Sequence, residues 1–357
     1  MSTIRNDLVY AAHNRAIALV DYNIYDNVDK RHEFIKKTIL ADKSLTRDDT
    51  LKIIKILNED YDYNKILFNE GKRRNSEWIP YNNLQNIKYL TKGGCSEIYT
   101  ADWIDGNYNE WNSEENQLNR FGTRKVILKK LKNVERANRS WFDEVKSHLT
   151  IANKWTEIVQ CFGLTQDLLE GSYMLVIREL DTNLKDYLQQ YQSKFTWKER
   201  LEIILDIGKS LSRIHNEKAI HRDLHSGNIL YNQYKDKWFI SDLGFCGPAD
   251  KPLKSIYGNL PYIAPEVIVG KEYTFASDIY SIAMLMWEIS SGQRPFINYE
   301  DKYDLAMDIV NGMRPEIISG TPSKYKKLME QCWDADPTKR PDIFTINDKI
   351  REINKLY

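Results

Sequence analysis

Two aspartates and an asparagine that can handle protons or a metal ion lie close together in the second half of the chain. Asp223 and Asn228 belong to the string HRDLHSGN at residues 221–228, and Asp242 follows in the string ISDLG. An aspartate on a rigid loop can orient a hydroxyl group, and an asparagine with a second aspartate can hold Mg²⁺ against phosphate groups. Asp, Asn, Ser and Gly are also usual residues of surface turns, so a plain turn remains the alternative at this point.

The composition limits the classes of protein to which this chain can belong. Hydrophobic residues make up 42% of the 357 residues, enough for one large two-lobed domain or a domain with an extension. The 51 basic and 51 acidic residues balance, so no net charge attracts nucleic acid or an anionic membrane. Segment 1–16 carries Arg5, Asp7 and Arg15, unlike a secretory signal, and no later stretch has the apolar length of a spanning helix. We expect a soluble, cytoplasmic protein with neither nucleic acid nor a membrane as a partner.

Residues 1–77 predict a helical extension followed by a linker. Leu51, Ile54 and Leu57 have the spacing of one helix face, and Thr46 with Asp49 resembles a helix-starting cap. Two interpretations stay open. The extension is either an interaction or regulatory module that binds a protein partner, or a set of helices packed on the main domain.

Residues 78–181 predict a small, mostly antiparallel sheet. Segment 87–101 predicts two strands joined by a turn that contains Gly93 and Gly94. Such a turn can lay backbone N–H groups over phosphates, although most hairpin turns contain a glycine. Residues 102–124 predict a long connection to the next strand.

The strand after this connection is predicted to carry a lysine in the interior of the small sheet. The run 126–129 is apolar except for Lys129, and a helix over 141–151 presents Glu144 as a candidate partner. A surface position for each charge is the alternative, since a strand lysine often lies at an edge.

Residues 182–357 predict a larger, helical region. Five segments have the length and periodicity of helices, namely 183–190, 197–216, 275–291, 303–311 and 323–333. With the small sheet before Thr182, they predict an α+β fold of two lobes.

The motifs follow one another in a fixed order that resembles the protein kinase signature set. The order is a glycine turn, a strand lysine, a helix glutamate, HRDLHSGN, DLG, the string APE at 264–266 and Arg340. The strings DLHSGNIL, GNLPYIAPEV and SDIYSIAMLMWEI are most similar to the tyrosine-kinase-like group. The resemblance covers residues 78–357 and implies the two-lobed protein kinase fold, with the small lobe at 78–181 and the large lobe at 182–357.

The resemblance also implies a role for each motif residue. Lys129 is implied to hold the α- and β-phosphates of ATP and to pair with Glu144, and Asp223 is implied to be the catalytic base. Asn228 and Asp242 are implied to ligate Mg²⁺. The remaining nucleotide-binding positions implied by the resemblance are Thr91, Gly93, Gly94, Ser96, Ile98, Ile127, Ile177, Glu179 and Leu180.

Three further contacts implied by the resemblance are structural. Asp278 is implied to brace the catalytic loop from the helix beneath it, and Glu266 to form a buried pair with Arg340. Arg222 is implied to face a phosphorylated activation segment. The acceptor in that segment is implied to be Ser255 or Tyr257.

The chain departs from the kinase pattern near the phosphates. Thr91, Gly93 and Ser96 occupy the positions of three family glycines, and the added side chains stiffen the loop, so weaker or slower nucleotide binding is expected. Ile127 replaces a smaller alanine that touches adenine. His225 replaces the lysine usual in serine/threonine kinases and, if protonated, supplies positive charge near the γ-phosphate.

Two functions are consistent with these residues. The first is an ATP- and Mg²⁺-dependent kinase that transfers the γ-phosphate to Ser or Thr hydroxyls of protein substrates, with Tyr as a further acceptor type, because Asn259 replaces the usual threonine near the acceptor site. The alternative is a pseudokinase that serves as a nucleotide-binding or scaffolding module, because the glycine turn is degenerate.

Overall fold

The structure is a computed structural model of the 357-residue chain. It describes residues 28–54, 77–92, 96–112, 117–131, 139–167, 169–191, 195–244, 247–248 and 258–357, with isolated positions among 12–19 and at 57. The chain forms two compact units, one of Met1–Asn75 with Trp103–Arg124 and one of Ser76–Asp102 with Lys125–Tyr357.

Most strands lie in the first half of the chain, and most helices lie in the second half. The strands are β1 (Glu77–Trp78), β2 (Leu84–Lys92), β3 (Glu97–Trp103), β4 (Tyr108–Asn112), β5 (Gln117–Arg120), β6 (Arg124–Lys130), β7 (Cys161–Gln166), β8 (Tyr173–Arg178), β9 (Thr182–Asn183), β10 (Ala219–Ile220), β11 (Ile229–Asn232), β12 (Lys237–Ile240) and β13 (Gly247–Pro248). The helices are α1 (Val28–Ala41), α2 (Arg139–Lys154), α3 (Leu184–Tyr191), α4 (Trp197–Asn216), α5 (Pro265–Ile268), α6 (Phe275–Ser291), α7 (Lys302–Val310), α8 (Ser323–Cys332) and α9 (Ile343–Asn354), and residues 47–54 are also helical.

The helix at 47–54 begins at the predicted cap. The Thr46 hydroxyl donates to Asp49 Oδ2 at 2.7 Å, and the Asp49 N–H donates back to Thr46 Oγ1 at 3.2 Å, so the two residues satisfy each other's polar groups. The predicted apolar face was wrong at one position. Leu51 is 59% exposed, whereas Ile53 and Leu57 are buried in a small core with Ile39.

The segment 102–124, predicted as a long connection, contains two strands, β4 and β5, that were not predicted. Strands β4 and β5 pair in antiparallel register, and the Arg120 guanidinium lies 3.8 Å from the centre of the Tyr108 ring. Gly106 has a φ of 64°, and a Cβ there would lie 2.2 Å from the carbonyl oxygen of Gly122. Only glycine allows the two strands' ends to approach this closely.

A six-stranded sheet in the order β1-β7-β8-β6-β3-β2 forms the small lobe. Strand β6 lies next to β8 in antiparallel register, with Ile127 opposite Ile177 and Lys129 opposite Leu175. Val126 and Leu128 are fully buried on β6. The apolar run predicted this interior strand, and its burial brings Lys129 inside the lobe.

The large lobe is built around α6, on which every residue from Ser277 to Ser291 is buried. A reciprocal cap between Thr274 and Ser277 starts this helix, and Gly292, with a φ of 69°, ends it. The predicted bounds of α4 and α6 are confirmed, and the other three predicted helices are present with shifted ends. Helix α9 was not predicted. The predicted α+β fold, with a small sheet followed by a larger helical region, is confirmed.

Candidate active site

The catalytic loop between β10 and β11 is held by one carboxylate from α6. Asp278 is buried, and its two oxygens accept hydrogen bonds from the N–H groups of His221 at 2.8 Å and Arg222 at 3.0 Å. Arg222 has a φ of 70°, a conformation that a non-glycine residue keeps only when its surroundings hold it. The implied bracing role of Asp278 is confirmed.

An ion pair between Arg340 and Glu266 anchors another part of the large lobe. Arg340 donates two hydrogen bonds to the Glu266 carboxylate, at 2.7 and 2.8 Å, and a third to the carbonyl of Ala276 at 2.8 Å. A buried bidentate pair of this kind fixes geometry as well as charge. The implied pair between Glu266 and Arg340 is confirmed, and it ties the segment after the catalytic cleft to the helical core.

The β11–β12 hairpin brings Asn228 and Asp242 to the same end of the cleft. Ile229 pairs with Ile240 in this hairpin, so the residues flanking that pair must face each other. The N–H of Ser241 accordingly donates to the carbonyl of Asn228 at 2.8 Å. Local chain geometry therefore places Asp242 one residue beyond the hydrogen-bond partner of Asn228.

Asp223 lies at the centre of the loop with its carboxylate largely buried. Asn228 Nδ2 donates to the Asp223 carbonyl at 2.9 Å, which fixes the two residues relative to one another. Burial and the neighbouring charge of Asp242 raise the pKa of Asp223 to about 6. At neutral pH this carboxylate is ionised yet poised to accept a proton, as a general base requires.

Asp242 meets Lys129 across the cleft. Lys129 Nζ lies 2.6 Å from Asp242 Oδ1, and the N–H of Gly244 donates to the same oxygen at 3.0 Å. Burial opposes ionisation of Asp242, but the ammonium of Lys129 outweighs it and holds the pKa of this carboxyl well below its usual range. Asp242 also has a φ of 54°, another left-handed non-glycine position at the site.

The Lys129 side chain is buried, and Asp242 is the acidic partner described for it. Glu144, the partner implied by the sequence, lies on α2, but its side chain falls outside the described residues. The pairing of Lys129 with Glu144 therefore stays a prediction.

The imidazole of His225 turns back onto the backbone of its own loop. Its Nδ1 accepts a hydrogen bond from the N–H of Gly227 at 3.1 Å, which leaves that nitrogen without a proton. Burial, helped by the charges of Arg294 and Lys185, lowers the pKa of His225 to about 4. Both observations favour the neutral form of His225, and its role near the γ-phosphate stays a prediction.

The implied adenine side is formed by strands β3, β6 and β8 and by the chain that follows β8. Ile98, Ile127 and Ile177 are half-buried there. The N–H groups of Arg178 and Asp181 donate to Gln160 and Tyr231. No backbone hydrogen bond within the described residues uses the N–H groups of the intervening Glu179 and Leu180.

The implied phosphate side is described only in part. Thr91 is exposed at the end of β2, and Ser96 is buried just before β3. Gly93 and Gly94 lie outside the described residues, as does the segment with Ser255 and Tyr257. The predicted effects of the degenerate glycine turn therefore stay predictions.

Two buried titratable groups at the cleft were not found from the sequence. His148 lies one helical turn after Glu144 on α2, and burial with the charge of Lys129 lowers its pKa to about 3. Its Nε2 atom has no hydrogen-bond partner among the described residues. The four-residue spacing from Glu144 is the signal that points to its position.

The second of these groups is Glu288, which lies on α6 beneath the acceptor side. The Tyr262 hydroxyl donates to Glu288 Oε2 at 2.5 Å and lies 3.3 Å from Ser226 Oγ, which belongs to the catalytic loop. Burial raises the pKa of Glu288 to about 7. A lone acid in the apolar string MLMWEIS is the sequence signal for this residue.

The donor atoms of Asn228 and Asp242 fit Mg²⁺. Asn228 uses Nδ2 on Asp223 and Asp242 uses Oδ1 on Lys129, and no hydrogen bond within the described residues uses the other oxygen of either side chain. Mg²⁺ prefers such oxygens and completes its shell with substrate phosphates and water. The described residues contain no group of three His, Cys, Asp or Glu side chains suited to a metal.

The family model described as "Protein tyrosine and serine/threonine kinase" matches residues 84–350. The chain belongs to this kinase family. Serine/threonine-protein kinase STY17 of Arabidopsis thaliana is 28% identical over 244 residues, which are 65% of this chain and 42% of that protein. The human dual serine/threonine and tyrosine protein kinase is 33% identical over 191 residues, 52% of this chain and 20% of its own length.

A third relative matches a larger share of this chain. The probable serine/threonine-protein kinase roco7 of Dictyostelium discoideum is 31% identical over 311 residues, 82% of this chain and 11% of that protein. The chain thus spans less than half the length of each of these three relatives. Across the described segments, no helix is long and apolar enough to cross a bilayer.

Proposed function

We propose that this kinase-family chain is an active enzyme that transfers the γ-phosphate of ATP to Ser or Thr hydroxyls of protein substrates. The observation that carries the proposal is the convergence of Lys129, Asp223, Asn228 and Asp242 on one cleft with their charges set by neighbours. Phosphoryl transfer asks a protein chiefly to position groups and neutralise charge. These four side chains supply both.

Asp223 is proposed to act on the acceptor. It orients the substrate hydroxyl and accepts its proton as that oxygen bonds to the γ-phosphorus and the bond to the β-phosphate oxygen breaks, which leaves ADP. A pKa near 6 lets the same carboxylate release the proton to water after transfer. Its hydrogen-bonded link to Asn228 keeps the base in place during the step.

The nucleotide is proposed to lie between the lobes. The N–H and C=O groups of Glu179 and Leu180 would hold the adenine edge, Ile98, Ile127 and Ile177 would flank its ring, and Lys129 would bind the α- and β-phosphates. The positions Thr91, Gly93, Gly94 and Ser96 are proposed to bind the phosphates. Asn228 and Asp242 would hold Mg²⁺, which would offset phosphate charge.

Ser and Thr are proposed as the main acceptors, with Tyr as the further type. The printed names of the relatives describe serine/threonine kinases and dual serine/threonine and tyrosine kinases. A pseudokinase is the less favoured alternative. Lys129 and Asp242 are both present and form an ion pair, and Asn228 is present and donates a hydrogen bond to Asp223. The free buried thiols of Cys161 and Cys332 are typical of proteins in a reducing cytoplasm, where we place this kinase.

The domain division is also a proposal. Residues 1–77 are proposed as a helical extension that binds a protein partner, and residues 78–357 as the kinase domain with its lobes at 78–181 and 182–357. A truncated chain that begins at residue 78 should keep phosphate transfer and lose partner binding. Unchanged partner capture by the truncated chain would contradict the assigned role of the extension.

Transfer of labelled phosphate from ATP to a generic protein substrate and to the chain itself tests the activity. The wild-type chain should require Mg²⁺, and Asp242→Asn should reduce transfer by about 10²-fold or more, because the Mg²⁺ that balances the phosphate charge loses a carboxylate ligand. The matched control is Asp348→Asn, since the Asp348 side chain is 73% exposed on α9. Metal-independent transfer, or equal loss in both variants, would contradict the proposal.

A further inference from the structure

We propose that His225 is a positioning residue for the transfer reaction, and that it holds the carboxylate of Asp223 through a neutral imidazole N–H instead of a positive charge. The inference rests on the proposed kinase activity and deepens it, because it assigns a role to a further side chain of the catalytic loop. It is carried by the direction in which the imidazole is turned and by the glycine that makes room for the ring.

One ring nitrogen of His225 is used by the backbone of its own loop. Nδ1 accepts a hydrogen bond from the N–H of Gly227 at 3.1 Å, within the short turn Ser226–Asn228. A ring nitrogen that accepts carries no proton, and a neutral imidazole then has its proton on the other nitrogen. The contact with Gly227 therefore makes Nε2 the donor of this side chain.

That donor faces the proposed base. Nε2 lies 3.8 Å from Oδ1 of Asp223, and the two side chains are 21% and 13% exposed. This distance is longer than a hydrogen bond, but catalytic hydrogen bonds are often long before a substrate binds and shorten in the complex. A small rotation of the imidazole brings its N–H within reach of the carboxylate.

The two oxygens of Asp223 are held unequally. Oδ2 lies 3.5 Å from Asn228 Nδ2, at the limit of a hydrogen bond, and within the described residues Oδ1 accepts none. A Cβ on Gly258 would lie 3.0 Å from Oδ1, so this glycine packs against the same oxygen without adding a side-chain donor. A donor on Oδ1 stops the carboxylate from rotating, and His225 is placed to supply it.

Gly227 is the residue that lets the ring lie in this position. A Cβ there would lie 2.9 Å from Cε1 and 3.0 Å from Nδ1 of His225, too close for the imidazole to stay where it is. Gly227 is not among the glycines with a positive φ, so alanine fits its backbone. Gly227→Ala should therefore displace the imidazole while leaving His225 itself unchanged.

Two substitutions of similar length test the role of the donor. His225→Gln keeps an uncharged N–H at a similar reach, and His225→Met fills the space with no donor. With Mg²⁺, ATP and a generic protein substrate, kcat should stay within about threefold for the Gln variant and fall about tenfold or more for the Met variant. KM for ATP should change less than about twofold in both, because the residue holds the base and not the nucleotide.

Gly227→Ala reaches the same contact by a second route. It should lower kcat as His225→Met does and add little to the loss when the two are combined, because both remove one interaction. An equal rise in melting temperature with Mg²⁺-ATP is the check that each variant is folded and binds nucleotide. Equal losses in the Gln and Met variants, or additive losses in the double variant, overturn the inference.

The ¹⁵N chemical shifts of the imidazoles in the labelled full chain test the tautomer apart from activity. Among the six histidines, the His225 signal is the one that is lost in His225→Gln, and at neutral pH it should report a proton on Nε2 alone. A proton on Nδ1, alone or together with one on Nε2, overturns the inference. If the wild-type chain transfers phosphate and these tests fail, the activity stands and the role of His225 is wrong. A wild-type chain that transfers nothing overturns both.

Discussion

The catalytic loop and helix α2 meet the same cleft from opposite sides, and their buried polar groups are satisfied to different degrees. On the loop side, Asp278 accepts from His221, Arg222 and His215, all within 3.0 Å. On the α2 side, His148 is as deeply buried, yet its Nε2 has no hydrogen-bond partner among the described residues.

This difference assigns separate tasks to the two sides. Hydrogen bonds to α6 and the β11–β12 hairpin fix the loop side before any substrate arrives. Within the described residues, the ion pair of Lys129 with Asp242 links the sheet side to the loop side, and the sheet side buries the imidazole of His148 at a cost. We infer that the loop side is built for stability and geometry, while the α2 side is held less firmly in place.

The largest expected effect comes from breaking the loop side. Asp278→Ala leaves the N–H groups of His221 and Arg222 and the imidazole of His215 without their acceptor. The free energy of unfolding should fall by about 3–5 kcal/mol, measured by urea denaturation. Asp348→Ala, at an exposed position of α9, is the control and should change it little. Equal effects would remove the distinction between the two sides.

Two histidine substitutions should change the free energy of unfolding in opposite directions. His148→Leu removes a buried imidazole whose Nε2 has no hydrogen-bond partner among the described residues, and it should raise the free energy of unfolding by about 1–3 kcal/mol. His215→Leu removes a hydrogen bond to Asp278 of 2.9 Å and should lower it. Thermal and urea unfolding of both variants measure the signs. A loss of stability in both would mean that His148 is as well satisfied as His215.

The pH dependence of transfer tests whether burial and the charge of Asp242 hold the pKa of Asp223 above its ordinary value. Burial and Asp242 raise the pKa of Asp223 to about 6, and Lys129 partly offsets this. Because only the ionised base accepts a proton, kcat/KM should fall about tenfold per pH unit below that value.

Unfolding does not account for such a fall. A raised pKa in the folded state means that protonation of Asp223 favours folding, so this group adds stability at acid pH and loses it as the pH rises through about 6. Circular dichroism at each pH is the control. An inflection near the ordinary aspartate pKa of 3.8 would show that Asp223 is neither desolvated nor coupled to Asp242.

The smallest expected effect is at the edge of the loop side. Tyr262→Phe removes the hydroxyl that donates to Glu288 and contacts Ser226. Stability should fall by about 1 kcal/mol in urea denaturation, as for one hydrogen bond. Tyr234→Phe is the control, since Tyr234 is 95% exposed. A loss as large as that of Asp278→Ala would place Tyr262 among the main supports of the loop.

Features that depend on neighbours in the chain could be predicted from the sequence. The bounds of α4 and α6 follow from local caps, with Thr196 and Glu199 at one start and Thr274 and Gly292 at the ends of the other. The placement of Asn228 beside Asp242 follows from one short hairpin.

Features that depend on contacts between distant segments were missed or incomplete. Lys129 and Asp242 are 113 residues apart, and no local pattern indicates that they pair. The β4–β5 hairpin depends on the close approach of Gly106 to Gly122. Its mostly polar sequence lacks the alternation of apolar and polar residues that predicts a strand. Tertiary packing, which the local pattern does not show, buries Ile53 and leaves Leu51 exposed.

The central claim is that Asp223 performs chemistry at a preformed loop. The most direct test measures Mg²⁺-ATP binding and phosphate transfer side by side for the wild-type chain and for Asp223→Asn. The variant should keep nucleotide binding, seen as an equal rise in melting temperature, and lose about 10²- to 10⁴-fold in transfer rate. Transfer that is unchanged in the variant, or a wild-type chain that binds the nucleotide and transfers nothing, would contradict the claim.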